Sequence, residues 1–81
     1  VLSSCLIGVA WADNDRDATP DERNKIAEVL KKQGCPYFDD VDFDFKTNLY
    51  KVDDAICNDR KKYEIYLDKN FNIVNKKEDL D

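Results

Sequence analysis

From residue 40 onward, apolar and polar positions alternate with the period of two that marks strands buried on one face. Val41, Phe43 and Phe45 fall on one side, and Asp40, Asp42 and Asp44 on the other. After a turn, Tyr50, Val52 and Ile56 share a side, so VDFDFKTNLYKVDDAIC reads as a β-hairpin ending in Cys57. Beyond a second turn at Asn58-Asp59-Arg60-Lys61, Tyr63, Ile65 and Leu67 alternate against Glu64, Tyr66 and Asp68. Asp68-Lys69-Asn70 then suits a three-residue loop with Asn70 in the left-handed position. Pairing across that loop sets Leu67 beside Phe71 and Ile65 beside Ile73, which predicts a fourth strand over 71–75. Residues 76–81 read as a charged, frayed tail.

The pattern before residue 35 is different. Thr19-Pro20-Asp21-Glu22 gathers the signals that start a helix. Thr19 suits the cap, Pro20 the first helical position, and Glu22 the far side of a capping box. Asp21 and Glu22 also complement the positive end of the helix dipole. Ile26, Val29 and Leu30 form a narrow stripe with Gln33, and Gly34 supplies a left-handed stop after Lys31 and Lys32. These signals predict a helix over 20–33. Its one apolar stripe suits a helix lying across a sheet. The expected fold is therefore α+β: one N-terminal helix packed on one face of a four-stranded antiparallel meander. The expected core is Ile26, Val29, Leu30, Phe43, Phe45, Tyr50, Val52, Ile65, Leu67 and Ile73.

The first hairpin also constrains the cysteines. For Phe43 to lie beside Val52 or Tyr50, Cys57 must come opposite Phe38 or Pro36, close to Cys35 in either register. This predicts a Cys35–Cys57 disulfide, which for a loop of this length stabilises by about 3 kcal/mol. Asp54 breaks the pattern, because strict alternation would turn it inward with Val52 and Ile56. A β-bulge at Asp53-Asp54 that turns it outward is the expected resolution.

Composition then limits the chemistry. The chain carries 18 acidic and 13 basic residues, a net charge of −5, and no histidine. Serine occurs only at Ser3 and Ser4. Ser–His and Cys–His nucleophilic pairs, histidine general bases and histidine-containing zinc sites are excluded. An acidic balance also lacks the basic footprint that nucleic acid requires. No enzyme class and no cofactor is indicated.

Every charged residue lies between Asp13 and Asp81, whereas residues 1–12 are uncharged and mostly apolar. Ala10-Trp11-Ala12 has the small-x-small form of a signal-peptidase site, so 1–12 is expected to be the remnant of a secretory signal and 13–81 a single domain. That run is shorter than the roughly 20 residues of a membrane span. Leu2-Ser3-Ser4-Cys5 has the form of a lipidation box, but the apolar run continues past Cys5. A membrane is expected to be met only through an uncleaved or lipidated N-terminus. Cleavage after Ala12 would leave two of the three cysteines, Cys35 and Cys57, consistent with one disulfide in an oxidising compartment.

The candidate sites lie on the polar side of the sheet. Asp40, Asp42, Asp44, Asp53 and Asp54, with Asp39 beside them, form a candidate acidic binding patch, and Tyr66 is a candidate exposed contact. Such a face also guards against edge-to-edge aggregation. Asp13, Asp15 and Asp17 echo the start of a calcium loop, but Ala18 stands where glycine is needed and Asn24 where a bidentate glutamate is needed, so DNDRDA reads as a polar lead-in.

TPDERNKIAEVLKKQGC, LYKVDDAI and KKYEIYLDKNFNIVNKKED together resemble the PepSY family, particularly its small exported bacterial members. The resemblance spans most of 19–79. It implies a helix on an antiparallel sheet, no catalytic residues, and a role in binding or inhibiting peptidases. Cys35 and Cys57 are an addition to the family's usual pattern, and Asn58-Asp59-Arg60 replaces an Asp-Gly turn. The expected function is a non-enzymatic, periplasmic or secreted binding module, a possible peptidase inhibitor or modulator whose partner is an envelope or secreted peptidase or another protein. The alternative is an envelope protein that binds calcium or another cation through its aspartates.

Overall fold

A computed structural model describes residues 15–80. The secretory-signal reading falls on residues 1–12 and lies outside them. The chain runs β1 (Asp15–Asp17), α1 (Pro20–Lys32), β2 (Val41–Asp44), β3 (Leu49–Ile56), β4 (Lys62–Leu67) and β5 (Ile73–Glu78). The strands form one antiparallel sheet in the order β1-β2-β3-β4-β5. The sheet has five strands where the hydrophobic pattern predicts four, and the helix is the connection between the first two. The extra strand comes from the segment read as a polar lead-in. It went unseen because its one inward residue is Arg16.

Arg16 is held inward by a partner on the helix. Its guanidinium donates two parallel hydrogen bonds to the Glu22 carboxylate, each 2.9 Å, and lies 5.1 Å from the Phe43 ring centroid. The Tyr50 hydroxyl and the Thr19 backbone N–H also donate to Glu22. Glu22 thus completes the expected capping box and locks β1, α1 and β3 together. The Arg16 hydrogen bonds, opposed by burial and aided by Tyr50 and Thr19, hold the Glu22 carboxyl far below the ordinary carboxylate range.

Helix α1 ends as the sequence predicts. The Cys35 N–H reaches the Leu30 carbonyl at 2.8 Å and the Gly34 N–H reaches Lys31 at 3.2 Å, a Schellman closure with Gly34 at φ 84°. Cys35 then bonds to Cys57, so the predicted disulfide joins the end of the helix to the end of β3.

The first hairpin takes one of the two predicted registers, with Phe43 opposite Tyr50 and Val41 opposite Val52. The predicted bulge is present: pairing of β3 with β4 shifts between Val52 and Ala55, and Asp54 adopts φ 55°. Beyond it the alternation reverses. Ala55 and Cys57 enter the core and Ile56 is exposed, where the unbroken pattern grouped Ile56 with Val52. Phe45 is a second correction. Strand β2 stops at Asp44, whose carboxylate accepts from the Lys46 N–H, so Phe45 belongs to the turn and is 54% exposed. The core is Ile26, Leu30, Cys35, Val41, Phe43, Tyr50, Val52, Ala55, Cys57, Ile65 and Leu67, with Val29 and Ile73 packed against it.

The second hairpin departs furthest. The Asp68 carboxylate accepts from the N–H groups of Asn70 and Asn72, and Phe71 rather than Asn70 takes the left-handed position, at φ 65°. Its ring stacks on Tyr50 with centroids 5.3 Å apart, and this contact offsets the backbone cost. The longer loop delays β5, sets Leu67 opposite Ile73 and Ile65 opposite Lys76, and draws the expected tail into the strand as far as Glu78. Arg60 also has φ 65°, in the turn between β3 and β4. Arg60→Gly is expected to raise stability by about 0.5–1 kcal/mol, read as a higher urea midpoint at unchanged slope.

Candidate functional site

The helix covers one face of the sheet, and the opposite face carries the predicted aspartates. Register aligns Asp17, Asp42, Lys51, Tyr66 and Asn75 in one row across all five strands. Asp53 sits in the next row, tied to the first hairpin arm through backbone hydrogen bonds with Asp39 and Asp40. The Lys51 ammonium stands 3.8 Å from Asp53 and 3.4 Å from Glu64. The Tyr66 hydroxyl donates to Glu64 at 2.6 Å, and the Lys77 ammonium lies over the Tyr66 ring.

The structure therefore brings Asp42, Asp53 and Tyr66 together, and adds Asp15, Asp17, Lys51 and Glu64. Asp40 flanks Asp53 at the rim. Asp44 faces the same way, paired with Asp15, but its carboxylate closes the β2–β3 turn. Asp54 stands apart at the bulge, 3.7 Å from the Lys62 ammonium. Asp15 and Asp17 were missed because β1 was missed. Glu64 and Lys51 were visible in the alternation, but only the register reveals that they flank Asp53.

The face is under electrostatic load. Burial raises the Asp42 proton affinity, helped by the hydrogen-bonded Asp17 and the charges of Asp15 and Asp53. Burial likewise raises Asp53, and the negative Glu64, Asp54 and Asp40 oppose the relief that Lys51 brings. In contrast, Glu64 is lowered, first by the Tyr66 hydroxyl and then by Lys51, against its own burial. A carboxyl with raised proton affinity in the folded chain stabilises most below its unfolded titration range. That contribution is lost as pH rises through the folded one. Asp42→Asn is accordingly expected to stabilise the domain at pH 7 and to change nothing at pH 3, as measured by urea unfolding at both.

The face can attract cationic groups, but it is no ready-made metal cage. Among the described residues no group of three or more Asp, Glu or Cys side chains is placed to share a metal ion. Comparison with protein-family models, curated proteins and solved structures finds no match to this chain in any of the three.

Proposed function

We propose that this chain is a non-enzymatic, exported binding module of the PepSY kind, whose acidic sheet face docks a basic surface on a protein partner. The carrying observation is the load on Asp42 and Asp53. Carboxylates that repel one another on a sheet face that no described element covers gain most when a cation approaches. The disulfide supports export, since such bonds persist in oxidising compartments. An envelope or secreted peptidase is the partner class that the PepSY resemblance implies, and inhibition or modulation is the role.

The test is a panel of thermolysin-type metallopeptidases assayed for inhibition and for binding by surface plasmon resonance. Expected is a complex whose association slows with added salt and with Asp42→Asn combined with Asp53→Asn. Neither binding nor inhibition across the panel would remove the peptidase role. The same load favours a second reading, cation binding at this face. Calorimetric titration with calcium decides it: micromolar binding that the double variant abolishes selects this reading, and silence eliminates it.

A further inference from the structure

The helix leaves the β5 side of its own face open. Between the C-terminal half of α1 and strands β4 and β5 lies a groove of about 520 Å³, lined by Val29, Gln33, Ile65, Phe71, Ile73 and Lys76. That volume is within the range of sites that hold a ligand's side groups. Its origin is local. The displaced register of β5 sets Lys76, not an apolar residue, opposite Ile65 on the core face. The lysine swings over the Tyr63 ring, 4.3 Å from its centroid, so Ile65 stays fully buried while half-buried Ile73 is left on the open wall of the groove.

Strand β5 is also an edge, with no strand beyond it among the described residues. Its outward N–H and C=O groups lie beside the groove, and half-exposed Val74 adds apolar surface. Lys76 lines the groove, Lys25 reaches over Phe71 beside it, and Lys77 flanks the same edge from the opposite face of β5. Among the described residues none of the three is in an ion pair; each stands over an aromatic ring, Lys25 over Phe71 at 5.6 Å and Lys77 over Tyr66 at 5.9 Å. Two of them act on carboxylates through space, Lys76 on Asp59 and Lys77 on Glu64, without closing to an ion pair.

We propose that β5 receives an extended, acidic segment of a partner protein, which adds a strand to the sheet and places one large apolar side chain in the groove. Main-chain pairing supplies affinity, and the groove reads one side chain of the alternating series. The lysines select for charge. Edge lysines ordinarily discourage pairing with a neutral strand, and the same lysines draw in a strand carrying Asp or Glu. The groove lies on the helix side of the sheet and meets the acidic face only at Lys77, and its occupant has the opposite charge.

The probe is a short capped peptide in which aspartate and valine alternate around one phenylalanine, labelled for fluorescence anisotropy. Saturable binding is expected, about tenfold tighter than that of the matching lysine peptide. Lys76→Glu combined with Lys77→Glu should reverse this preference, since both side chains are exposed. A backbone N-methylated peptide should not bind, and the bound acidic peptide should slow amide hydrogen exchange in β5. Equal affinity for the two charge types, unprotected β5 amides or full binding of the N-methylated peptide would each overturn the proposal. So would a self-associated form, seen in sedimentation, that the peptide fails to dissociate. Asp42→Asn with Asp53→Asn should leave peptide binding unchanged. A loss there would move the peptide to the acidic face and overturn the β5 assignment alone.

Discussion

Replacing Cys35 and Cys57 together with alanine is expected to lower the unfolding free energy by about 3 kcal/mol, and by as much as 5. A domain of this size has about 4–10 kcal/mol in total, so the change leaves it close to its threshold. Two effects add here. The bridge closes a loop with a sequence separation of 22 residues, which restricts the unfolded chain. Both half-cystines are also buried, Cys35 completely and Cys57 to 7% exposure, so truncation leaves unfilled space beneath the end of the helix. Urea denaturation of the oxidised, reduced and double-alanine forms measures it, with a midpoint about 2 M lower expected for the last two. Coincident transitions for all three would show that the bond contributes nothing.

Glu22→Ala is the second large effect, with an expected cost of about 2–3 kcal/mol at pH 7. The carboxylate accepts from Arg16 twice and from Tyr50 and Thr19 once each, so its loss leaves a half-buried guanidinium and a buried phenol without their acceptor. Because the folded Glu22 carboxyl titrates well below its ordinary 4.5, its stabilisation is complete above that value and is lost as pH falls below it. Glu22→Gln separates charge from shape. It should flatten the fall in stability between pH 5 and pH 3, while Asp42→Asn acts in the opposite sense over the same range. Parallel pH profiles for the wild type and Glu22→Gln would discount the ion pair as a source of acid lability.

The sequence-based reading succeeds where local chemistry and periodicity agree. Thr19, Pro20, Glu22 and Gly34 mark the helix because caps are made by neighbours in the chain. The bulge at Asp54 was legible because a carboxylate on the apolar side of a strand is too costly to leave there. Two of the failures share a cause: a side chain's partner lies far along the chain. Nothing near Arg16 announces a strand, because its solvation depends on Glu22 and its packing on Phe43. Propensity favours Asn70 over Phe71 for the left-handed position, and the Tyr50 ring that overrides propensity sits on another strand. From that one substitution of roles came the delayed start of β5, the lysine opposite Ile65 and the open groove. Of the acidic face, the aspartates of the first hairpin were legible from alternation. The Lys51–Glu64–Tyr66 cluster needed the register between β3 and β4.

The bulge in β3 has a bearing on how the chain matures. Strict alternation from Val52 would point Cys57 away from Cys35, and only the extra residue at Asp53-Asp54 turns its sulfur inward. Oxidation is therefore expected to report strand pairing: a chain caught in the unbulged register keeps Cys35 and Cys57 as free thiols, whereas in a correctly phased one they are bonded to each other. Alkylation mapped to Cys35 and Cys57 during refolding would count the misphased population, and Asp54→Gly, which eases the left-handed backbone at the bulge, should deplete it.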